Sequence, residues 1–256
     1  MRVLVCVKRV PAPGARINIT ADGLAVDTAN LGFTTSPHEE CAVEEAVQLI
    51  ERHGGTATVL TLGPGEAEEQ LRYAASIGIG KAVLLPVGNE DWDPQRTAHA
   101  LTDAISGIEA VDGPFDIILF GNESADSGGF QVGVRVAHAL HRPMVNGIKK
   151  VVVAEDGASV EVRREFEGGM EVYRLPLPAV IGVKEGLNLP RYPTMKGRLA
   201  SKKVAVDTVE SHADAGGQSL VKLERPAEKA SSTIVLGKGV DAAPAVVDLL
   251  VELGVL

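Results

Sequence analysis

The sequence predicts an α/β protein: a mostly parallel sheet flanked by helices, with antiparallel hairpins and an extended C-terminal arm. Three observations carry this. Up to Leu140, short apolar runs of strand length alternate with segments whose apolar residues recur at helical spacing. Gly, Pro and Asn punctuate the joints between them. Beyond Pro143, residue-by-residue alternation takes over, with turn signals between the runs.

Val3 to Val7 is the first buried-strand run, ended by Lys8-Arg9-Val10-Pro11. Pro11 to Thr35 is punctuated and irregular, with at most a short extended piece near Leu24 to Val26. Ser36-Pro37 then opens a helix: Ser at the N-cap, Pro at the first helical position, and Glu39 completing an S-x-x-E capping box. Val43, Ala46, Val47 and Ile50 form its apolar stripe, and Gly54-Gly55 stop it. Thr56 to Leu62 reads as the next strand, Glu66 to Ile77 as a helix, Ala82 to Val87 as a strand and Pro94 to Ile108 as a helix. Phe115 to Phe120 is again a strand, followed after a Gly-rich loop by the helical repeat Val132, Val136, Ala139, Leu140. Such alternation implies right-handed βαβ crossovers and a parallel sheet. In these sheets ligands sit beyond the C-terminal strand ends, so the loops after Val7, Leu62 and Phe120 should share one rim.

Gly147 to Val153, Ser159 to Glu165 and Met170 to Leu175 alternate and read as antiparallel hairpins. Ala179 to Val183 has the character of one more sheet strand. Lys184 to Lys203 is polar, basic and marked by Pro and Gly, and Val206 to Val235 shows no core pattern. A helix from about Ala243 to Leu253 follows. So long an irregular tract is anomalous inside a compact domain but suits an arm lying across a partner subunit. The expected division is a domain over residues 1–205 and an arm over residues 206–256.

Composition narrows the function. At 256 residues and 45% apolar, the chain can bury a large core. A formal charge of −9 argues against nonspecific nucleic-acid binding and against an anionic membrane surface. Aromatic residues, at 4%, are too few for a base-stacking platform. The start, MRVLVCVKRVP, meets charge too soon for a secretory signal, and no apolar run reaches transmembrane length, so the expected location is cytoplasmic. Cys6 and Cys41 make no CxxC and read as small buried residues. His38, His53, His99, His138, His141 and His212 form no ligand pair at metal spacing; His138 and His141 are expected on an exposed helix end. Glu44-Glu45 reads as a solvated helix face.

The loop from Gly121 to Gly129 is small and polar, and it feeds a helix start whose free N–H groups suit a phosphate. It matches no standard motif. There is no G-x-x-x-x-G-K-[ST], no G-x-G-x-x-G after the first strand and no G-x-S-x-G elbow. Asp126-Ser127-Gly128-Gly129 has the wrong order for the S-G-G-x-D-S loop of pyrophosphatase-type enzymes. Asp126 suits either a helix N-cap or a ligand contact, and Gln131 either a ligand or solvent. No residue set marks the chain as an enzyme by itself.

Several segments together resemble the beta subunit of an electron transfer flavoprotein: Val5-Cys6-Val7-Lys8-Arg9-Val10-Pro11, Ala42-Val43-Glu44-Glu45-Ala46, and the Asp126…Gln131-Val132-Gly133 loop. The most specific is Leu187-Asn188-Leu189-Pro190-Arg191-Tyr192, close to the family's L-N-x-P-R-[YF] signature. The resemblance spans about residues 2–205. It implies an adenine-nucleotide alpha-hydrolase-like fold and a heterodimer whose alpha subunit holds the redox FAD. The beta chain would bury one AMP as a structural ligand. Its implied AMP contacts are Cys6, Ser36, Pro37, His38, Glu39 and Leu62, with the run Gly121, Asn122, Glu123, Ser124, Ala125, Asp126, Ser127, Gly128, Gly129, Phe130, Gln131 and Val132. Donors such as acyl-CoA dehydrogenases would dock on about residues 183–205, through Leu187, Pro190, Arg191, Tyr192 and the tip residue Met195, and a quinone reductase would accept the electrons. Glu165 matches an acidic residue implicated in positioning the flavin domain.

The sequence also departs from its relatives. Ala12 stands where many carry an acid, and Ser127-Gly128 where further acids are common. The stretch Asp126 to Val134 lacks the D-G-D-T-x-Q-V-G-P run of electron-bifurcating members, which favours AMP over a second FAD. Two alternatives stay open: a bifurcating subunit with its own FAD and an NADH site, and a nucleotide-binding regulator of universal-stress type.

Overall fold

The computed structural model describes residues 1–88, 92–211, 213–227 and 233–256. Its first strand, β1 (Arg2–Val7), is apolar from end to end because both faces of it are covered. Val3, Val5 and Val7 face one hydrophobic cluster, and Leu4 and Cys6 face the other, as the two-residue period of a strand requires. The stretch expected to be irregular holds two small antiparallel ribbons. They pair β2 (Val10–Pro11) with β5 (Phe33–Thr34), and β3 (Asn18–Ile19) with β4 (Val26–Asp27).

Helix α1 (Pro37–His53) starts and stops where its caps dictate. The Ser36 hydroxyl accepts from the Glu39 N–H, the Glu39 carboxylate accepts from the Ser36 N–H, and Gly54 takes the C-cap at a φ of 71°. The chain continues through β6 (Thr56–Gly63), a 3₁₀ turn (Gly65–Ala67), α2 (Glu68–Ser76), β7 (Lys81–Pro86), α3 (Pro94–Asp112), β8 (Ile117–Gly121) and α4 (Val132–Ala139). Helices α1 and α2 cover the Val3 face of the sheet; α3 and α4 cover the Leu4 face. Truncating a wholly buried residue such as Leu4 to Ala would cost about 2–5 kcal/mol.

The alternating segments beyond Pro143 form the meander β9 (Met144–Val153), β10 (Ser159–Phe166) and β11 (Gly169–Pro176). This meander is continuous with the main sheet, because β12 (Ala179–Val183) inserts in parallel between β8 and β9. Two further elements escaped the sequence reading. Helix α5 (Met195–Ser201) packs on α2, capped by the Thr194 hydroxyl accepting from the Gly197 N–H. Strand β13 (Val206–Thr208) pairs in parallel with β7. The sheet therefore runs β11-β10-β9-β12-β8-β1-β6-β7-β13. In this sheet the β9–β10 and β10–β11 pairs are antiparallel and the remaining pairs are parallel, so β10 alone opposes the common direction.

The expected arm boundary at residue 206 thus falls on an edge strand. The next stretch is tied to the body by the Arg96 guanidinium donating to the Ala213 carbonyl and the Gly216 N–H donating to the Asp93 carboxylate. The last helix, α6 (Ala243–Glu252), follows a 3₁₀ turn (Gly239–Ala242) and buries none of its residues. His212 lies outside the described residues. His138 is exposed, and His141 lies beyond the end of α4 with a φ of 54° rather than on one helix with it.

Candidate functional site

Strand β1 connects outward to β6 on one side, and the chain returns to place β8 on its other side. Such a reversal leaves a crevice at the C-terminal strand ends, because the loops leaving β1 and β8 turn to opposite faces. The crevice encloses about 210 Å³, far more than a water molecule requires. Cys6, Lys8 and Arg9 from the end of β1, Leu62 to Pro64 from β6, and Phe120 to Ser124 from β8 line it. The loops expected to share one rim do share it.

Among the expected ligand contacts, Cys6, Glu39, Leu62, Gly121, Asn122, Glu123, Ser124, Ser127, Gly129, Phe130, Gln131 and Val132 line the cavity. Ser36 and Pro37 stand behind it as the cap and first residue of α1. His38 turns its Nε2 towards Glu123, 3.6 Å away, while its Nδ1 accepts the Glu185 N–H. Ala125 and Gly128 are exposed, the latter at a φ of 55°. Asp126 lies outside the lining and holds the Lys8 ammonium at 2.5 Å. Sequence reasoning left Lys8 and Arg9 as strand-ending charges and passed over Trp92, Thr97, Met144 and Asn146, all of which line the cavity. Their signal was only topological, since each stands near the cavity end of an element.

The electrostatics start with Glu39, which is buried and accepts the N–H groups of both Lys8 and Ser36. Burial outweighs those bonds and pushes its carboxyl up to about 8. Gly121 makes this packing possible, since a Cβ there would stand 2.7 Å from the Glu39 Cγ. Burial, and secondly Glu39, pushes the Cys6 thiol far above its ordinary value, so it is no nucleophile. Burial also raises the Asp126 carboxyl, but the Lys8 charge and local hydrogen bonds bring it below its usual range. The Arg9 guanidinium stacks on Phe33 at 3.3 Å, and its Nε is buried without a hydrogen-bond partner among the described residues. Desolvation lowers its pKa, against the pull of Glu66 and Glu69.

Asp126 is not the N-cap of α4, contrary to one of the two roles it suited. The helix begins only at Val132, so the cap position falls to Gln131, which makes no side-chain cap bond. Gln131 instead accepts from the Arg135 guanidinium. The helix start is left without a side-chain cap. Phe130, just before it, takes a φ of 54°, a conformation that costs a bulky residue energy.

The second candidate site lies along residues 183–205. Its geometry overturns the expectation that Glu44-Glu45 is a solvated face, because both residues are buried. The Arg191 guanidinium spans Glu44, at 2.9 Å, and Glu51, at 2.7 Å. The Asn188 amide donates to the Cys41 carbonyl and to Glu45. Burial raises the Glu44 carboxyl, but the Arg191 hydrogen bonds hold it below its usual range. Leu187 packs against the core, and Pro190 is half-buried. Tyr192 and Leu189, each 90% exposed, and Met195, 76% exposed, project outward. Glu165 stands at the exposed end of β10, paired with Lys149 at 2.5 Å.

This arrangement defines an α/β protein with a ligand-sized crevice at the sheet's switch point and an exposed apolar surface anchored to α1 by an arginine on a buried glutamate. A family model described as "Electron transfer flavoprotein domain" matches residues 23–215. The chain is 32% identical over 257 residues to electron transfer flavoprotein subunit beta of Bacillus subtilis, covering 98% of this chain and 97% of that protein. It is 36% identical over 234 residues to the subunit of the same name from Syntrophomonas wolfei, covering 90% and 88%. It is also 32% identical over 227 residues to Protein FixA of Azorhizobium caulinodans, covering 87% and 79%. The chain belongs to the electron transfer flavoprotein beta-subunit family. No helix among the described residues is long and apolar enough to cross a membrane.

Proposed function

We propose that this chain binds AMP in the crevice as an unreacted structural ligand and pairs with an alpha subunit holding the redox FAD. Dehydrogenases acting on acyl-CoA or similar substrates dock on residues 183–205, and electrons leave towards a quinone reductase. The chain makes and breaks no bonds itself. The observation that carries this reading is the crevice. Its lining offers apolar residues (Leu62, Trp92, Phe120) for a purine ring, and the cations Lys8 and Arg9 with an uncapped helix start for a phosphate. An AMP bound there would brace the β1, β6 and β8 loops against one another. The exposed apolar trio Leu189, Tyr192 and Met195 supports the docking role, since a few buried side chains can dominate an interface. The unburied α6 supports the alpha partner, because an apolar helix of this kind needs a surface to cover it. Glu165, at the tip of the hairpin, is exposed and held by a solvent-facing pair with Lys149 that the flavin-bearing domain can compete with.

The test is to purify the chain with its neighbouring gene products, denature the complex and identify the released nucleotides. One AMP and one FAD is the expected result. Two FAD and no AMP would replace this reading with a bifurcating subunit, and a colourless homodimer releasing ATP would replace it with a regulator.

A further inference from the structure

We propose that Lys8 is the cation by which the crevice selects a phosphate-bearing ligand, and that Asp126 is a resident anion which the ligand's phosphate displaces. The inference rests on the adenylate reading above and deepens it. Lys8 belongs to the cavity lining and Asp126 does not, so the carboxylate reaches the ammonium from outside the ligand's space. The two side chains keep 40% and 26% of their exposure, which makes the pair weak and exchangeable in water. Among the described residues, Asp126 is otherwise held by contacts within its own small-residue loop, to the Ser127 N–H and the Ser124 hydroxyl. A carboxylate and a phosphate offer an ammonium the same acceptor chemistry, but a phosphate can carry two negative charges.

The surroundings favour the exchange. The α4 start, free of a side-chain cap, borders the same cavity and places its positive dipole end there. Arg9, the next residue, adds a second cation at the same edge, held in place by its stacking on Phe33. Two carboxyls could oppose an incoming anion. Glu39 is buried with its carboxyl pushed up to about 8, so near neutral pH it is largely uncharged. Glu123 stays an anion in the lining, since the neighbouring His38 accepts the Glu185 N–H on its Nδ1 and so is not a cation. Lys8 and Arg9 together outnumber it, so the balance at this end of the crevice is positive. Phosphate entry would free Asp126 to swing into solvent, with no buried charge left unpaired.

Binding of AMP and of adenosine to the full-length chain, measured by titration calorimetry, tests this. Wild type should favour AMP by about tenfold or more, the scale of one charge-assisted contact. Lys8→Gln should narrow that ratio to within about threefold while leaving adenosine binding unchanged, so that adenosine reports on the fold of the variant. Asp126→Asn removes the competing charge at nearly constant size and should tighten AMP several-fold without altering adenosine. A Lys8→Gln protein that keeps the wild-type ratio, or an Asp126→Asn protein that loses AMP affinity, overturns the proposal. Equal wild-type affinity for the two ligands overturns the phosphate assignment alone. Failure of both to bind overturns the adenylate reading with it.

Discussion

Two loops leave the C-terminal ends of neighbouring parallel strands, β8 and β12, and they are built on opposite terms. They start side by side, the Asn122 N–H donating to the Val183 carbonyl at 2.8 Å. The loop after β8 is small-residue chain held by partly exposed pairs, Lys8 with Asp126 and His38 with Glu123. The loop after β12 is nailed to α1 by Arg191 on the buried Glu44 and by Asn188 on Glu45, and then turns into a helix packed on α2. Weakly held polar backbone suits a surface that must close around a ligand. Strongly held backbone carrying exposed Leu189, Tyr192 and Met195 suits a surface that must keep its shape when free. The contrast places the rigid anchor inside the molecule and leaves the adaptable side chains outside.

The largest predicted effect breaks the rigid half of that contrast. Arg191→Ala leaves Glu44 buried without its counter-ion, and since Arg191 is itself 37% exposed, water will compensate part of the loss. A destabilisation of about 2–4 kcal/mol is expected by urea denaturation. Adding Glu44→Gln should recover much of it, and a double mutant as unstable as the single one would refute the coupling. The effect has a pH signature. Because the Glu44 carboxyl lies below its usual range when folded, the pair's contribution is present above the unfolded carboxylate pKa and is lost as pH falls through the folded one.

The same contrast explains which parts of the molecule were legible in sequence. The capping box at Ser36 and Glu39, the stop at Gly54 and the apolar strand runs are local signals, each contained within a few residues. They fixed the α/β class and brought the β1, β6 and β8 loops to one rim. What escaped depends on remote partners. Glu44 and Glu45 looked solvated because the segment that buries them lies well over a hundred residues downstream. Helix α5 escaped because its close approach to α2 needs Gly197, where a Cβ would stand 2.1 Å from the Ser76 carbonyl oxygen; a glycine among Lys and Arg gives no helical signal. Strand β13 is three residues long, too short for alternation to register. Lys8 and Arg9 were visible as charges, but only the sheet's strand order turned them into cavity walls.

An intermediate effect sharpens the adaptable half. Glu39 has a folded pKa pushed up to about 8, above its unfolded value, so its contribution to stability is fully present below the unfolded pKa and is lost as pH rises through the folded one. One such proton gives a slope no steeper than about 1.4 kcal/mol per pH unit. Stability of the ligand-free chain should therefore decline from about pH 4.5 to about pH 8 and level off above that. Glu39→Gln, which preserves the capping box, should flatten the decline. An unchanged slope in that variant would assign the titration to another group.

The smallest effect on stability carries the sharpest test of the comparison. Met195 is 76% exposed at the first position of α5, so Met195→Ala should leave unfolding free energy within about 0.5 kcal/mol of wild type. If the loop after β12 is a rigid presenter of apolar contacts, the same change should weaken electron acceptance from a dehydrogenase by about tenfold in apparent affinity, with bound flavin retained. Arg191→Ala should weaken acceptance too, but together with stability, because it releases the loop rather than trimming its face. Steady-state reduction at limiting carrier separates the two. A Met195→Ala complex that accepts electrons as wild type does would mean that the outward face of this loop is not what the dehydrogenase reads, however firmly α1 holds it.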